Sequence, residues 1–141
     1  MLLPYPRVKA MTKLAFAALA GLLLVALPAK ADDQPPACTA SPLRVGDCFT
    51  VHGRLTACTS IPNARIWIIG TKRILGIADA NGDVAGERLL PGQLDTEMFS
   101  GTPCSKAAFG DFTVCPLTPS QPGVMQRVCV TSAAKVVIRD W

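Results

Sequence analysis

Apolar and polar residues alternate along several short segments of this chain, as they do in half-buried β-strands. The clearest segment is CFTVHGRLTAC, residues 48–58, in which every second residue from Phe49 to Leu55 is apolar or glycine. This period of two predicts a strand, with Gly53 as a bulge. The same alternation predicts a strand at 111–115, and residues 124–140 read as one or two further strands.

Residues 65–77, RIWIIGTKRILGI, are rich in large apolar residues but are interrupted in the middle by Gly70 and by two basic residues. Gly70 and Thr71 fit a two-residue type II′ turn, which places glycine first. The segment therefore predicts a hairpin of two strands, at about 64–69 and 72–78, rather than one long buried run.

The register of this hairpin stays open. A two-residue turn pairs Ile69 with Lys72 and Ile68 with Arg73, whereas a three-residue turn shifts every pair. In either register Lys72 and Arg73 are expected at the exposed tip, which argues against membrane insertion of the hairpin.

A short helix is predicted near residues 91–99, where Leu90, Leu94 and Met98 recur at helical spacing and Pro91 suits a first turn. Five or six strands with a helix between the third and the fourth predict a mainly β, single-domain, antiparallel Greek-key barrel of the OB type. The alternative is a prealbumin-like β-sandwich of two sheets.

Residues 1–31 have the pattern of a secretory signal peptide. Basic residues precede an apolar run of about 16 residues, and Ala29-Lys30-Ala31 fits a cleavage site before Asp32. The run is shorter than the roughly 20 residues of a membrane-spanning helix. We therefore expect an exported protein, periplasmic or secreted, with no membrane span in the mature chain, whether translation starts at Met1 or Met11.

The mature chain divides into two parts. Residues 32–43 are polar and proline-rich and predict an extended N-terminal arm, and residues 44–141 predict a single β domain. The four basic residues in excess over the ten acidic ones all lie in the signal peptide. The mature chain is therefore close to neutral, and no attraction to nucleic acid or to an anionic membrane is expected.

The mature chain contains all six cysteines, and an even number in an exported chain predicts three disulfides. Local pairing favours Cys115 with Cys129, Cys38 with Cys48, and Cys58 with Cys104, among 15 possible connectivities. The wide spacing of the cysteines and the single histidine argue against zinc. We expect no metal site and no cofactor.

Two other motifs are better explained as ordinary surface structure. His52 is predicted on the polar face of the first strand, and neither a nucleophile nor an orienting carboxylate can be assigned to it from spacing. Asp79–Asp83, DANGD, resembles the start of a calcium loop, but Leu90 occupies the twelfth position, where an acidic ligand is required. We therefore expect no catalytic residues.

Candidate binding residues lie in and beside the hairpin: Arg65, Trp67, Lys72 and Arg73. A tryptophan flanked by arginine is typical of a binding hot spot if it lies on the outer face. The expected function is a non-catalytic exported module, with a binding or structural role and an unknown protein or envelope component as its partner. The alternative is a small disulfide-rich secreted enzyme or enzyme inhibitor.

The segments CFTVHGRL, RIWIIGTKRILG and FGDFTVCPLTP…PGVMQRVCV resemble an uncharacterised family of exported bacterial proteins, over about half of the mature chain. This resemblance implies export and a single domain, and it implies no functional residue. VHGRL…NARIWIIG…ADANGD resembles more weakly the start of prealbumin-like and carboxypeptidase-regulatory modules, until the pattern departs after Asp83.

Overall fold

The computed structural model describes residues 37–86 and 88–141. The predicted signal peptide and residues 32–36 of the predicted arm lie outside these ranges. In the described part of the chain, no helix has the length and apolar character needed to cross a membrane. The strands are β1 (Phe49–Ala57), β2 (Ala64–Ile68), β3 (Ile74–Ile77), β4 (Lys106–Pro116) and β5 (Gln126–Asp140), and the α-helix is α1 (Gln93–Phe99).

The five strands form one sheet that closes into a barrel in the order β1-β2-β3-β5-β4, with β1 paired to both β2 and β4. The predicted mainly β fold with one short helix between the third and fourth strands is confirmed. Not every neighbour is antiparallel, however, because β3 and β5 run parallel over three residue pairs. The single closed sheet also differs from the two-sheet sandwich considered as the alternative.

Alternate residues of each strand fill the interior of the barrel. Leu55, Ile66, Leu75, Phe112 and Val128 come from the five different strands, and all five are fully buried. Burying a side chain of this size contributes roughly 1.5–3 kcal/mol. The outward-facing side chains of the same strands are therefore held in place by a packed core.

Gly53 pairs regularly with Ile68 and Gly110 and is not the bulge that the sequence predicted. A Cβ atom at this position would lie 2.4 Å from Cγ2 of Ile66, so the interior has no room for a side chain there. The glycine is required by close packing between β1 and β2. The two register shifts of the barrel occur instead in the β4–β5 ladder.

The hairpin between β2 and β3 has the register expected for a two-residue turn, with Trp67 opposite Ile74 and Ile66 opposite Leu75. The turn differs from the predicted one. The amide of Thr71 donates to the carbonyl of Ile68, so Gly70 is the third residue of the turn, with φ +81°. A type II turn, which needs a positive φ at its third position, therefore forms instead of the predicted type II′ turn, which needs one at its second.

All six cysteines form disulfides: Cys38–Cys129, Cys48–Cys115 and Cys58–Cys104. The predicted Cys58–Cys104 bond is confirmed and the other two predicted pairs are wrong. Cys115 and Cys129 are neighbours in the β4–β5 ladder, but each bonds to the N-terminal segment instead. The two bonds attach this segment at two points, one to each strand.

The described part of the predicted arm is not fully extended, because Cys38–Ala40 forms one turn of 3-10 helix. Ser41 is buried and its hydroxyl donates to the carbonyl of Ala80 over 2.6 Å. Together with the Cys38–Cys129 bond, this contact holds the arm against the domain.

Candidate functional site

A continuous row of side chains crosses the outside of the barrel at the middle of its strands. Trp67 lies opposite Ile74 on one side and opposite Arg54 on the other, and Arg54 lies opposite Phe109. Cross-strand partners of this kind project from the same face of a sheet. We call the five residues the Trp67 row: Ile74, Trp67, Arg54, Phe109 and Val137.

Arg54 contacts two tryptophan rings at once. Its guanidinium carbon is 5.2 Å from the centre of the Trp67 ring and 5.1 Å from the centre of the Trp141 ring. Both distances lie within the range of cation–π attraction, which contributes about 0.5–1 kcal/mol at exposed sites. Trp141 is 70% exposed, so the stack lies at the protein surface.

The Trp67 ring is held by a hydrogen bond of its indole nitrogen as well as by the contact with Arg54. Its indole Nε1 donates to the carbonyl of Thr71 over 2.7 Å, and the hydroxyl of Thr71 donates back to the carbonyl of Ile68 over 2.8 Å. The turn built around Gly70 therefore fixes the ring orientation. A side chain that is already ordered loses less conformational entropy when it contacts a partner.

Arg65 is the next outward residue of β2, and lies roughly 7 Å along the strand from Trp67. Its Nη2 donates to the carbonyl of Ile61 over 3.2 Å. The Nε atoms of Arg54 and Arg65 are both buried and have no hydrogen-bond partner among the described residues. The Arg54 guanidinium therefore lies against Trp67 across the ladder, whereas the Arg65 guanidinium binds the backbone before β2.

An open groove of about 810 Å³ adjoins the Trp67 row at Ile74. The β4–β5 loop, residues 117–125, forms one wall, and Lys72 and Arg73 lie on the other side. Ile74 and Val124 are exposed apolar residues within it. The groove therefore continues the apolar surface of the row toward two basic residues.

Arg73 is exposed, as the sequence predicted, but its guanidinium is held by hydrogen bonds. Its guanidinium donates to the buried amide oxygen of Gln126 and, over 3.3 Å, to the hydroxyl of Ser120. Gln126 in turn donates to the carbonyl of Thr118 over 3.0 Å. Arg73 thus connects the start of β3 to the β4–β5 loop, whereas the Lys72 side chain makes no hydrogen bond or ion pair to the described residues.

The four predicted binding residues do lie near one another. Arg65 and Trp67 share the outer face of β2, and Lys72 and Arg73 line the adjoining groove. Sequence reasoning missed Arg54 and Trp141. Alternation alone puts Arg54 on the polar side of β1, but only the strand register shows that it faces Trp67. No local sequence pattern indicates that Trp141 lies against Arg54.

His52 has the carboxylate partner that spacing could not identify. Its Nδ1 is 2.8 Å from Oδ1 of Asp111, its neighbour on β4, and Lys135 lies 3.9 Å from the other oxygen. A carboxylate and the imidazole that it orients are two of the three members of a hydrolytic triad. Among the described residues, no serine, threonine or cysteine side chain hydrogen-bonds to His52, and the pair is exposed.

The segment Asp79–Asp83 forms an ordinary turn. One carboxylate oxygen of Asp79 accepts from the amides of Asn81 and Asp83, at 2.8 and 2.9 Å, and Asp83 accepts from the amide of Ala85. The carboxylates are thus used by the backbone. The described residues contain no group of three or more potential metal-ligating side chains.

No protein family model, no curated protein and no solved structure matches this chain. The chemistry of the Trp67 row and its surroundings is therefore the basis on which a function can be assigned.

Proposed function

We propose that this chain is an exported, non-catalytic module that binds a partner through the Trp67 row. The observation that carries the proposal is the position of the Arg54 guanidinium beside the Trp67 and Trp141 rings on an exposed face. Tryptophan and arginine are the residues most enriched where binding energy concentrates. Ile74 and Val137, at the two ends of the Trp67 row, add exposed apolar surface on the same face.

We infer that the barrel is of the OB type. The strand order β1-β2-β3-β5-β4 and a helix between β3 and β4 support this. OB barrels bind ligands on the face of strands 2 and 3, bordered by the loops after strands 1 and 4. Trp67 and Ile74 belong to that face, and the groove beside Ile74 is formed by the loop after β4.

Export, to the periplasm or the medium, is supported by two independent features. Three disulfides in a chain of this size are typical of an oxidising compartment. The N-terminal pattern ending at Ala31 is that of a secretory signal. The partner is accordingly a protein or another component of the cell envelope or its surroundings.

Site-specific photocrosslinking in the exporting cell tests the binding surface. A photoreactive residue at Ile74, which is exposed in the row, is compared with one at Val45, which is exposed outside it. We expect a product at Ile74 that is absent at Val45 and that disappears in the Trp67→Leu variant. Identical products at both positions, or a product that persists in a folded Trp67→Leu variant, contradict the proposal.

The second candidate, a small secreted enzyme or inhibitor, is favoured by one observation, the 2.8 Å contact between His52 and Asp111. It requires that His52→Ala abolish any activity found while the circular dichroism spectrum stays unchanged. It also requires a nucleophile or water bound by the substrate itself, since the described residues supply His52 with no hydroxyl or thiol partner.

A further inference from the structure

We propose that the Trp67 row binds an anionic oligosaccharide, a chain of sugar rings that carries acidic groups. This inference rests on the proposed function, because it names the chemistry of the partner that the same surface takes. Three features carry it: the charge around the row, the fixed aromatic ring, and the absence of a free edge on the two strands that carry Trp67 and Arg54.

The surroundings of the row are basic. Arg54 lies within it, Arg65 is the next outward residue of β2, and Lys72 and Arg73 precede Ile74. We call these four residues the basic group. The outward positions of β1, β2 and β3 and the loop between β2 and β3 contain no acidic residue. The four charges therefore add to one another on one face.

Within residues 37–86 and 88–141, none of these charges is paired with an acidic side chain. The ion pairs of the described residues involve His52, Lys135 and Asp111, and none of the basic group. Arg65 and Arg73 donate to uncharged groups, a backbone carbonyl and the neutral side chains of the β4–β5 loop. A negatively charged ligand would meet guanidinium groups that match carboxylate and other oxyanions geometrically.

No acidic residue lies in β1, β2 or β3: Asp47 precedes β1, and Asp111 and Asp140 lie on β4 and β5. Asp79, Asp83, Asp95 and Glu97 all belong to the segment between β3 and β4. Because the mature chain is close to neutral, this separation and not net charge produces a positive face. The face can thus attract an anion although the whole protein does not.

The aromatic ring suits a sugar better than a nucleic-acid strand. OB barrels bind oligosaccharides as well as oligonucleotides. Single-stranded nucleic acid is held by aromatic side chains on which successive bases stack. The orientation of Trp67 is fixed by Thr71, and its neighbours in the row are Ile74 and Arg54, neither of which is aromatic. The other two rings of the site, Phe109 and Trp141, lie beside Arg54. One rigid ring can contact the apolar face of one sugar while the basic group binds acidic substituents of its neighbours.

An acidic peptide is a weaker candidate. An extended peptide gains most of its affinity by adding a strand to an exposed sheet edge. β1 pairs with both β2 and β4, and β2 pairs with both β1 and β3, so the strands that carry Arg54 and Trp67 offer no free edge at the row. The groove beside Ile74 is formed by loops and gives no ladder of backbone partners.

Calorimetric titration of the mature protein against matched carbohydrate pairs tests the inference. The probes are oligogalacturonate against its methyl ester, and sulfated against unmodified dextran oligosaccharide, so that only the charge differs within a pair. We expect at least one charged member to bind about tenfold or more tightly than its uncharged partner. Oligo(dT) and polyglutamate of equal charge are expected to bind more weakly than that member.

Two lysine variants provide the matched control. Lys72→Gln and Lys135→Gln remove the same charge from exposed positions, one in the basic group and one beside Asp111. We expect Lys72→Gln to weaken binding of the charged oligosaccharide severalfold and Lys135→Gln to leave it within about twofold. Equal effects of the two variants would mean non-specific charge attraction and would overturn the inference.

Other results of the titration would also overturn the inference. The inference fails if no charged oligosaccharide binds at millimolar concentration, if charged and uncharged members bind alike, or if oligo(dT) or polyglutamate binds more tightly. If the titration fails in one of these ways but the crosslink at Ile74 still depends on Trp67, the row binds a different kind of partner and the proposed function is retained. Oligosaccharide binding that is unchanged in a folded Trp67→Leu variant would instead move the site away from the Trp67 row.

Discussion

Arg73 and Gln126, 53 residues apart in the chain, form a hydrogen bond that joins the start of β3 to the start of β5. Gln126 is one of two buried polar residues among those described and is only 6% exposed. Both ends of its amide are satisfied, the oxygen by Arg73 and the nitrogen by the carbonyl of Thr118. Arg73 therefore fastens the hairpin of the candidate site to the start of β5 through Gln126 and to the β4–β5 loop through Ser120.

Arg73→Ser is expected to lower the free energy of unfolding by about 1–3 kcal/mol, because the buried oxygen of Gln126 loses its partner. Lys72→Ser, at the neighbouring exposed position, should change it by less than about 0.5 kcal/mol. Urea unfolding of the two variants measures the difference. Equal stabilities would show that the contact with Gln126 contributes nothing in solution.

Gly70→Val is expected to destabilise the protein by roughly 1–3 kcal/mol through backbone strain alone. The glycine has φ +81°, and nothing lies within 4 Å of the position a Cβ atom would take, so no steric clash contributes. Gly70→D-Ala, made by chemical ligation, is the matched control, since a D-residue adopts positive φ without strain. If thermal unfolding finds the two variants equally unstable, strain in the turn is not the cause.

The contact between Arg54 and Trp67 can be measured with a double-mutant cycle. Arg54→Met and Trp67→Leu keep much of the apolar bulk and remove the charge and the ring. We expect a coupling free energy of about 0.5–1 kcal/mol in urea unfolding. A coupling of zero would mean that the two side chains merely lie close together.

Peptide mapping without reduction is expected to show Cys38 linked to Cys129, Cys48 to Cys115, and Cys58 to Cys104. The intact mass should be six hydrogens below that of the reduced chain. Replacing Cys58 and Cys104 together by Ser should cost on the order of 2–4 kcal/mol. Detection of a Cys115–Cys129 peptide would contradict the attachment of the N-terminal segment to β4 and β5 through Cys48 and Cys38.

The strands and the helix could be predicted because their signals are local. Alternation identified β1, and the spacing of Leu94 and Met98 identified α1. The parallel pairing of β3 with β5 could not be predicted, since it depends on the loop between β4 and β5 returning to the far side of the barrel. The close approach that requires Gly53 is also a property of packing between strands, and sequence alone suggested a bulge there.

In the candidate site too, local features could be predicted from the sequence and contacts between distant strands could not. Trp67 and its basic neighbours could be predicted as binding residues because they lie close together in the sequence. Arg54 and Trp141 are separated from Trp67 by 13 and 74 positions, and only the strand register and the path of β5 bring them to it. Likewise, Asp111 could not be assigned to His52 before the β1–β4 register was known.

The three disulfides are nested: the Cys38–Cys129 loop encloses the Cys48–Cys115 loop, which encloses the Cys58–Cys104 loop. Every peptide bond between Cys58 and Cys104 therefore lies inside all three loops. A protease that cuts the long connection between β3 and β4 produces two fragments that three covalent bonds still hold together. In surroundings rich in proteases, such a cut would leave the strands that carry Trp67 and Arg54 attached to the rest of the barrel.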